Sequence, residues 1–254
     1  MHQERNTLDT FFSDYLGTDI GDMPPGHTSV VPLPRWTRGG LPGTQAYALW
    51  MLVTQSRCAI SVHTDLLKNV SRIARTLGIE QLRDSGAVRR LVLTVSKAFG
   101  ARRGVSSTSG PVLYCTPDTL RFAEVHECRR VTMDDIPRLE PTGLYDESLE
   151  PGVRDGCCFA CWDEEEPVSL SGTLPVPHMT DRVADIQVPG TLEGWRGRGY
   201  GRTCLSHTTA AVMERSLVPL YATSDRNVPS RHTAAAVGYR EYGWQFRILM
   251  PASD

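Results

Sequence analysis

Arg196-Gly197-Arg198-Gly199-Tyr200-Gly201 lies between an apolar, strand-like segment, Val183-Ala184-Asp185-Ile186-Gln187-Val188, and a helical pattern from Arg202 to about Leu217. Strand, glycine-rich turn and helix, in that order, build an anion site. Glycines take positive φ and let a ligand approach the backbone, so successive N–H groups converge at the positive end of the helix. Arg198 and Arg202 beside the turn suit a multiply charged phosphate ligand. An ordinary strand–helix connection also favours glycine, so the turn alone decides little.

The residues C-terminal to the turn are more specific. Leu220-Tyr221-Ala222-Thr223-Ser224 predicts a second strand. Next come Asp225-Arg226-Asn227-Val228-Pro229-Ser230, a short helix through Ala236, and Gly238-Tyr239. This succession resembles the GNAT acyltransferase superfamily, whose Arg/Gln-x-x-Gly-x-Gly/Ala signature is matched by Arg196, Gly199 and Gly201. The family's later Asn-x-x-Ser, small helix and Gly-Phe are matched by Asn227, Ser230, Gly238 and Tyr239. The resemblance implies an α/β (α+β) fold with a mixed central sheet flanked by helices over residues 121–254. It leaves residues 1–120 as a smaller α/β domain. It also implies an N-acetyltransferase that takes acetyl-CoA as cosubstrate and a primary amine as acceptor.

Composition is that of a globular chain: 254 residues, 40% apolar and 22% charged. With 27 basic against 29 acidic residues, no global field argues for a nucleic-acid or membrane partner. The opening residues show no signal-peptide pattern, and no apolar run approaches a membrane span. Seven cysteines without a framework pattern suggest reduced thiols, hence a cytoplasmic protein. Cys158-x-x-Cys161 reads as small apolar residues on a buried strand. A zinc site needs about four ligands and no second pair answers it, so no metal is expected.

In chain order, Thr7 to Leu16 predicts a helix with Thr7 as N-cap and Leu8, Phe11, Phe12 and Tyr15 on one face. Val30–Leu33 reads as an edge strand, Trp36–Gly43 as a loop, and Ala46–Val53 and Cys58–His63 as strands. Thr64 would cap a helix carrying Leu66, Leu67, Val70, Ile73, Ala74 and Leu77. Ser85–Phe99 fits a helix, with a strand over Leu91–Val95 as the competing assignment. After an Ala101–Gly110 loop and a Val112–Cys115 strand, Val125–Val131 predicts a strand, and Thr132-Met133-Asp134-Asp135 caps a helix. Cys157–Trp162 and Val168–Leu174 predict a hairpin around the acidic turn Asp163–Glu166.

By the resemblance, backbone N–H groups from Arg196 to Arg202 hold the pyrophosphate. A backbone N–H near Val188 stabilises the thioester oxygen, and the next strand splays away so that the pantetheine arm fills the gap. Asn227, with Ser230, steadies that arm; it also suits a helix N-cap before Pro229. A lysine-type amine has a pKa of about 10.4 and must lose a proton before attack. Asp185 on the strand before the turn is a candidate base, and equally a structural cap; His178 is the alternative. The family's usual tyrosine acid falls at Ala234, so Tyr239, His232 and Tyr242 stand as substitutes. Cys204 could carry an acyl group, although its helical position favours core packing.

The front half reads as a degenerate copy of the fold, a substrate-recognition module with Trp36, Trp50, His27 or His63 facing the substrate, or a homodimer contact. A second reading of the whole chain is an acyl-CoA-binding sensor or interaction module without turnover, which Ala234 would suit. A nucleotide site is disfavoured, because the turn lacks the Lys-Ser/Thr of a P-loop.

Overall fold

The computed structural model describes residues 2–33, 46–101, 105–176 and 178–250. The expected Trp36–Gly43 loop, with Trp36 as a substrate-facing candidate, lies outside them. The chain divides into two compact units: residues 2–111 together with the segment from Tyr242 onward, and residues 112–241.

The first unit contains helix α1 (His2–Leu16), strands β1 (Thr28–Pro32), β2 (Tyr47–Thr54) and β3 (Cys58–Val62), and helices α2 (Leu67–Ala74) and α3 (Ser85–Ala98). Within its sheet β1 runs parallel to β3, while β2 is antiparallel to β3 and to the chain's last strand, Arg240–Leu249. Pro32 ends the edge strand, where a missing N–H breaks no ladder. Alternation separates the two faces of β2. Leu49, Met51 and Val53 share a core with Val70 and Ile73 of α2 and Leu91 and Val95 of α3. Trp50 packs on Tyr15 of α1 at 5.0 Å. Helix α3 therefore displaces the strand alternative at Leu91–Val95. Helix α1 begins five residues before Thr7, which sits inside it with its hydroxyl donating to the Gln3 carbonyl at 3.1 Å. The hydroxyl is satisfied by the preceding turn, and burial of Leu8, Phe11, Phe12 and Leu16 carries the helix past a residue that reads as a cap.

Strand β4 (Ser107–Tyr114) carries the chain into the second unit. There follow β5 (Cys128–Arg130), α4 (Ile136–Leu139), α5 (Glu150–Arg154), β6 (Phe159–Asp163), β7 (Glu166–Leu174), β8 (Val183–Thr191), α6 (Tyr200–Glu214), β9 (Val218–Ala222) and α7 (Val228–Val237), before the last strand, β10. The order in this unit is β4-β9-β8-β7-β6-β5, with β8 and β9 parallel and the other neighbours antiparallel. This is the mixed sheet flanked by helices that the sequence predicts. One face packs on α6 and α7 through Leu113, Phe159, Ala184, Ile186 and Tyr221. The other packs on α4 and α5 through Val131, Cys158, Ala160, Trp162 and Leu170. Three residues apart on one strand means opposite faces, so Cys158 and Cys161 part company.

Helix α6 is buried along most of its length despite its hydroxyls. Thr203, Thr208 and Thr209 donate to the carbonyls of Gly199, Ser171 and Leu205, which offsets the cost of burying them. Helix α7 ends at Gly238 with φ +102°, where a Cβ would lie 1.8 Å from the Thr119 carbonyl oxygen, so only glycine fits.

Thr132 and Asp135 form the expected capping box ahead of α4. Asp135 also receives a bidentate fork from Arg129 at 2.8 and 2.9 Å. That guanidinium, aided by the Thr132 N–H and hydroxyl and opposed by burial, holds the Asp135 pKa at about 2. A carboxyl lowered from an ordinary value of about 3.9 stabilises the fold fully above that value, and the benefit disappears as pH falls toward 2. Asp135→Asn should therefore cost about 2 kcal/mol at pH 7 and nearly nothing at pH 2, as read from denaturant melts at both pH values. An equal loss at both would show that the ion pair is not what the substitution removes.

Candidate functional site

The parallel ladder between β8 and β9 comprises Val183–Val218, Ala184–Pro219 and Asp185–Leu220, and stops there. Strand β8 continues to Thr191 on the β7 side alone. On that side Gln187 opposes Gly172 and Gly190 opposes Leu170, so Val188 and Pro189 together face the single residue Ser171 in a bulge. Proline has no N–H, so Val188 holds the one backbone donor of that pair. A short 3-10 turn (Glu193–Trp195) then leads into the glycine-rich turn.

Three contacts fix that turn. Trp195 Nε1 donates to Asp163 Oδ2 at 2.7 Å, Arg196 Nε donates to the Thr191 carbonyl at 3.0 Å, and His126 Nε2 lies 2.8 Å from the Arg198 carbonyl. The His126 ring stacks on Tyr200, with centroids 3.6 Å apart. Gly197 has φ +75° and Gly199, the N-cap of α6, has φ +98°. Those left-handed conformations turn consecutive amides toward one side at the start of a 15-residue helix. A Cβ on Gly201 would sit 3.2 Å from the Thr191 hydroxyl, which itself pairs with Ser169 at 2.8 Å. Arg196 and Arg198 are exposed, whereas Arg202 Nε is buried and makes no hydrogen bond among the described residues. A buried, unsatisfied guanidinium nitrogen beside converging amides fits an anionic ligand such as a pyrophosphate.

Asn227 caps α7, its Oδ1 accepting from the Ser230 N–H at 3.2 Å. The Ser230 hydroxyl pairs at 2.7 Å with the hydroxyl of Tyr221, the first β9 residue beyond the split. Asp185 stands at the apex of the split. Burial, and secondarily the Asp185 charge, push the Tyr221 phenol above its ordinary range. Tyr239 is buried, its hydroxyl 2.8 Å from Thr209 and its ring 5.6 Å from Tyr221. Burial raises its pKa well above the usual value, so it stays a neutral phenol. His178 lies in the loop between β7 and β8, half-buried. Ala234 is fully buried in the α6–α7 core. Cys204 is also fully buried, with its thiol toward Cys161 and the Ser169 carbonyl.

The turn residues and Val188 thus lie along one continuous run from the bulge to α6, while Asn227 and Ser230 are tied to the second strand by Tyr221. Sequence reading missed Tyr221, His126, Ser169 and Thr191. They act through contacts with distant segments, and no local pattern marks them.

Residues 125–239 match the model of the acetyltransferase (GNAT) family. No curated protein matches the chain. Among solved structures, a GNAT-family protein from Novosphingobium aromaticivorans is 14% identical with a TM-score of 0.47, over 58% of this chain and 66% of that one. A GNAT acetyltransferase from Colwellia psychrerythraea is 11% identical with a TM-score of 0.48, over 57% of each chain. The match thus spans less than two thirds of either of those proteins. A GCN5-related N-acetyltransferase-like protein from Streptococcus suis is 14% identical with a TM-score of 0.44, over 98% and 99% of the two chains. The family match thus covers residues 125–239, from just ahead of β5 to Tyr239 after α7.

Proposed function

We propose that the chain is an acetyl-CoA-dependent N-acetyltransferase that transfers its acyl group directly to a primary amine of a small molecule or protein. The observation that carries this reading is the parting of β8 from β9 after Asp185 and Leu220, in line with the glycine-rich turn at the far end of β8. In this reading the amides of Arg196, Gly197, Arg198, Gly199, Tyr200, Gly201 and Arg202 bind the pyrophosphate, helped by the Arg202 guanidinium. Asn227 and Ser230 orient the pantetheine arm along the gap, where it adds to the sheet edge. Acetyl-CoA supplies an acyl group already activated as a thioester. In this reading the Val188 N–H stabilises negative charge on the carbonyl oxygen. Asp185, or His178 in its stead, removes the proton from the incoming amine. Tyr239, bonded to Thr209 and packed on Tyr221, positions the strand end rather than donating a proton. A thiolate leaves readily, so no side chain is assigned to protonate it. Burial of the Cys204 thiol supports direct transfer over an acyl-cysteine route. Seven unpaired cysteines favour a reducing compartment, the cytoplasm in this proposal.

Purified protein incubated with acetyl-CoA and a panel of amines should release thiol with one acceptor class. Gly199→Glu or Gly201→Glu, which put a carboxylate into the phosphate cradle, should abolish both release and acetyl-CoA binding. Tight binding without release from any amine would favour the sensor reading, to which Ala234 lends itself. Absence of binding would overturn both. Asp185→Asn should lower kcat about 100-fold at pH 7 while leaving acetyl-CoA affinity unchanged. Its deficit should shrink as pH rises toward the free amine's own pKa of about 10.4. A deficit independent of pH, or weaker cofactor binding, would make Asp185 a structural residue.

A further inference from the structure

Cys128 of β5, Cys161 of β6 and Cys204 of α6 bring their sulfurs together in the second unit, all within 4.8 Å of one another. Cys204 Sγ lies 3.2 Å from Cys161 and 4.0 Å from Cys128. Cys161 and Cys204 are fully buried, and Cys128 is half-buried. Three sulfurs arranged trigonally about an ion, each about 2.3 Å from it, stand about 4 Å apart. The observed separations, 3.2 Å and 4.0 Å with the third within 4.8 Å, bracket that value. The surroundings are Val168, Tyr200 and Trp195, and among the described residues no fourth His, Cys, Asp or Glu joins the three. Zinc in a structural site takes four ligands, whereas soft thiolates with a low coordination number suit a monovalent d10 cation.

We propose that Cys128, Cys161 and Cys204 form a three-sulfur site for one soft monovalent cation, of which Cu(I) is the biological representative. On binding, the three thiols release their protons to solvent and each sulfur forms one bond to the ion, with no change in oxidation state. The Cys161 thiol reaches the Tyr200 carbonyl at 3.5 Å, so the cluster lies at the start of α6. The positive end of that helix offsets part of the anionic charge that three thiolates bring. The inference is independent of the acyl-transfer reading.

The test titrates the reduced, full-length protein with Cu(I) as its acetonitrile complex, in competition with a chromophoric Cu(I) chelator, and counts sulfurs by X-ray absorption. The expected result is one ion per chain with three sulfur neighbours at about 2.3 Å. Cys128→Ser, the most exposed of the three changes, should weaken binding at least 100-fold with an unchanged melting temperature. Cys58→Ser, in the first unit, should bind as the parent does. Binding that survives Cys128→Ser, two or four sulfur neighbours, Zn(II) displacing Cu(I) at equal concentration, or no binding at all would each overturn the proposal.

Discussion

The interaction on which the second unit turns is one that is not made. Parallel strands normally stay paired, because an unbonded backbone N–H or C=O inside a protein costs free energy. Here β8 and β9 share three residue pairs and then separate, and a bulge at Val188–Pro189 keeps β8 bonded to β7 alone. A chain keeps such an opening when something else completes it. An extended ligand arm with amide groups of its own can supply such bonds in the manner of an added strand. The glycine-rich turn lies at the end of β8, so a ligand whose polar arm enters the gap brings its charged head to Gly197–Arg202.

Supporting residues hold that opening in shape. His126, just ahead of β5, and Asp163 of the β6–β7 hairpin, the latter through Trp195, brace the turn. Thr209, Tyr239, Tyr221 and Ser230 form a chain of hydroxyl and ring contacts from α6 to the start of α7. A ring stack, an indole hydrogen bond and satisfied buried hydroxyls are rigid, low-entropy supports, which an acyl-transfer site needs if its groups are to be placed before the substrate arrives.

The turn, β8 and α6 were legible in the sequence because their signals are local. Glycine marks positive φ, arginine marks charge, and apolar spacing marks a buried strand. The capping box of Thr132 and Asp135 was legible for the same reason, although the Arg129 fork that makes it strong was not. What escaped depends on partners far along the chain. Strand β10 is made by pairing with β2, nearly 200 residues away in sequence, and Arg240-Glu241-Tyr242-Gly243 opens it without an apolar alternation. Helix α1 overrode a residue that reads as a cap. Cys158 and Cys161 read as small apolar residues of a buried strand, and both are buried, but the neighbours of Cys161, Cys128 and Cys204, lie far along the chain and on the face opposite Cys158.

The most direct measurement is amide hydrogen exchange of the full-length protein with and without acetyl-CoA. The Val188 amide and those of Gly197–Arg202 should slow markedly on binding, with those of α2 unchanged. Binding that leaves the Val188 and Gly197–Arg202 amides exchanging as before would mean that the cofactor lies elsewhere and that the open β8–β9 edge is not its site.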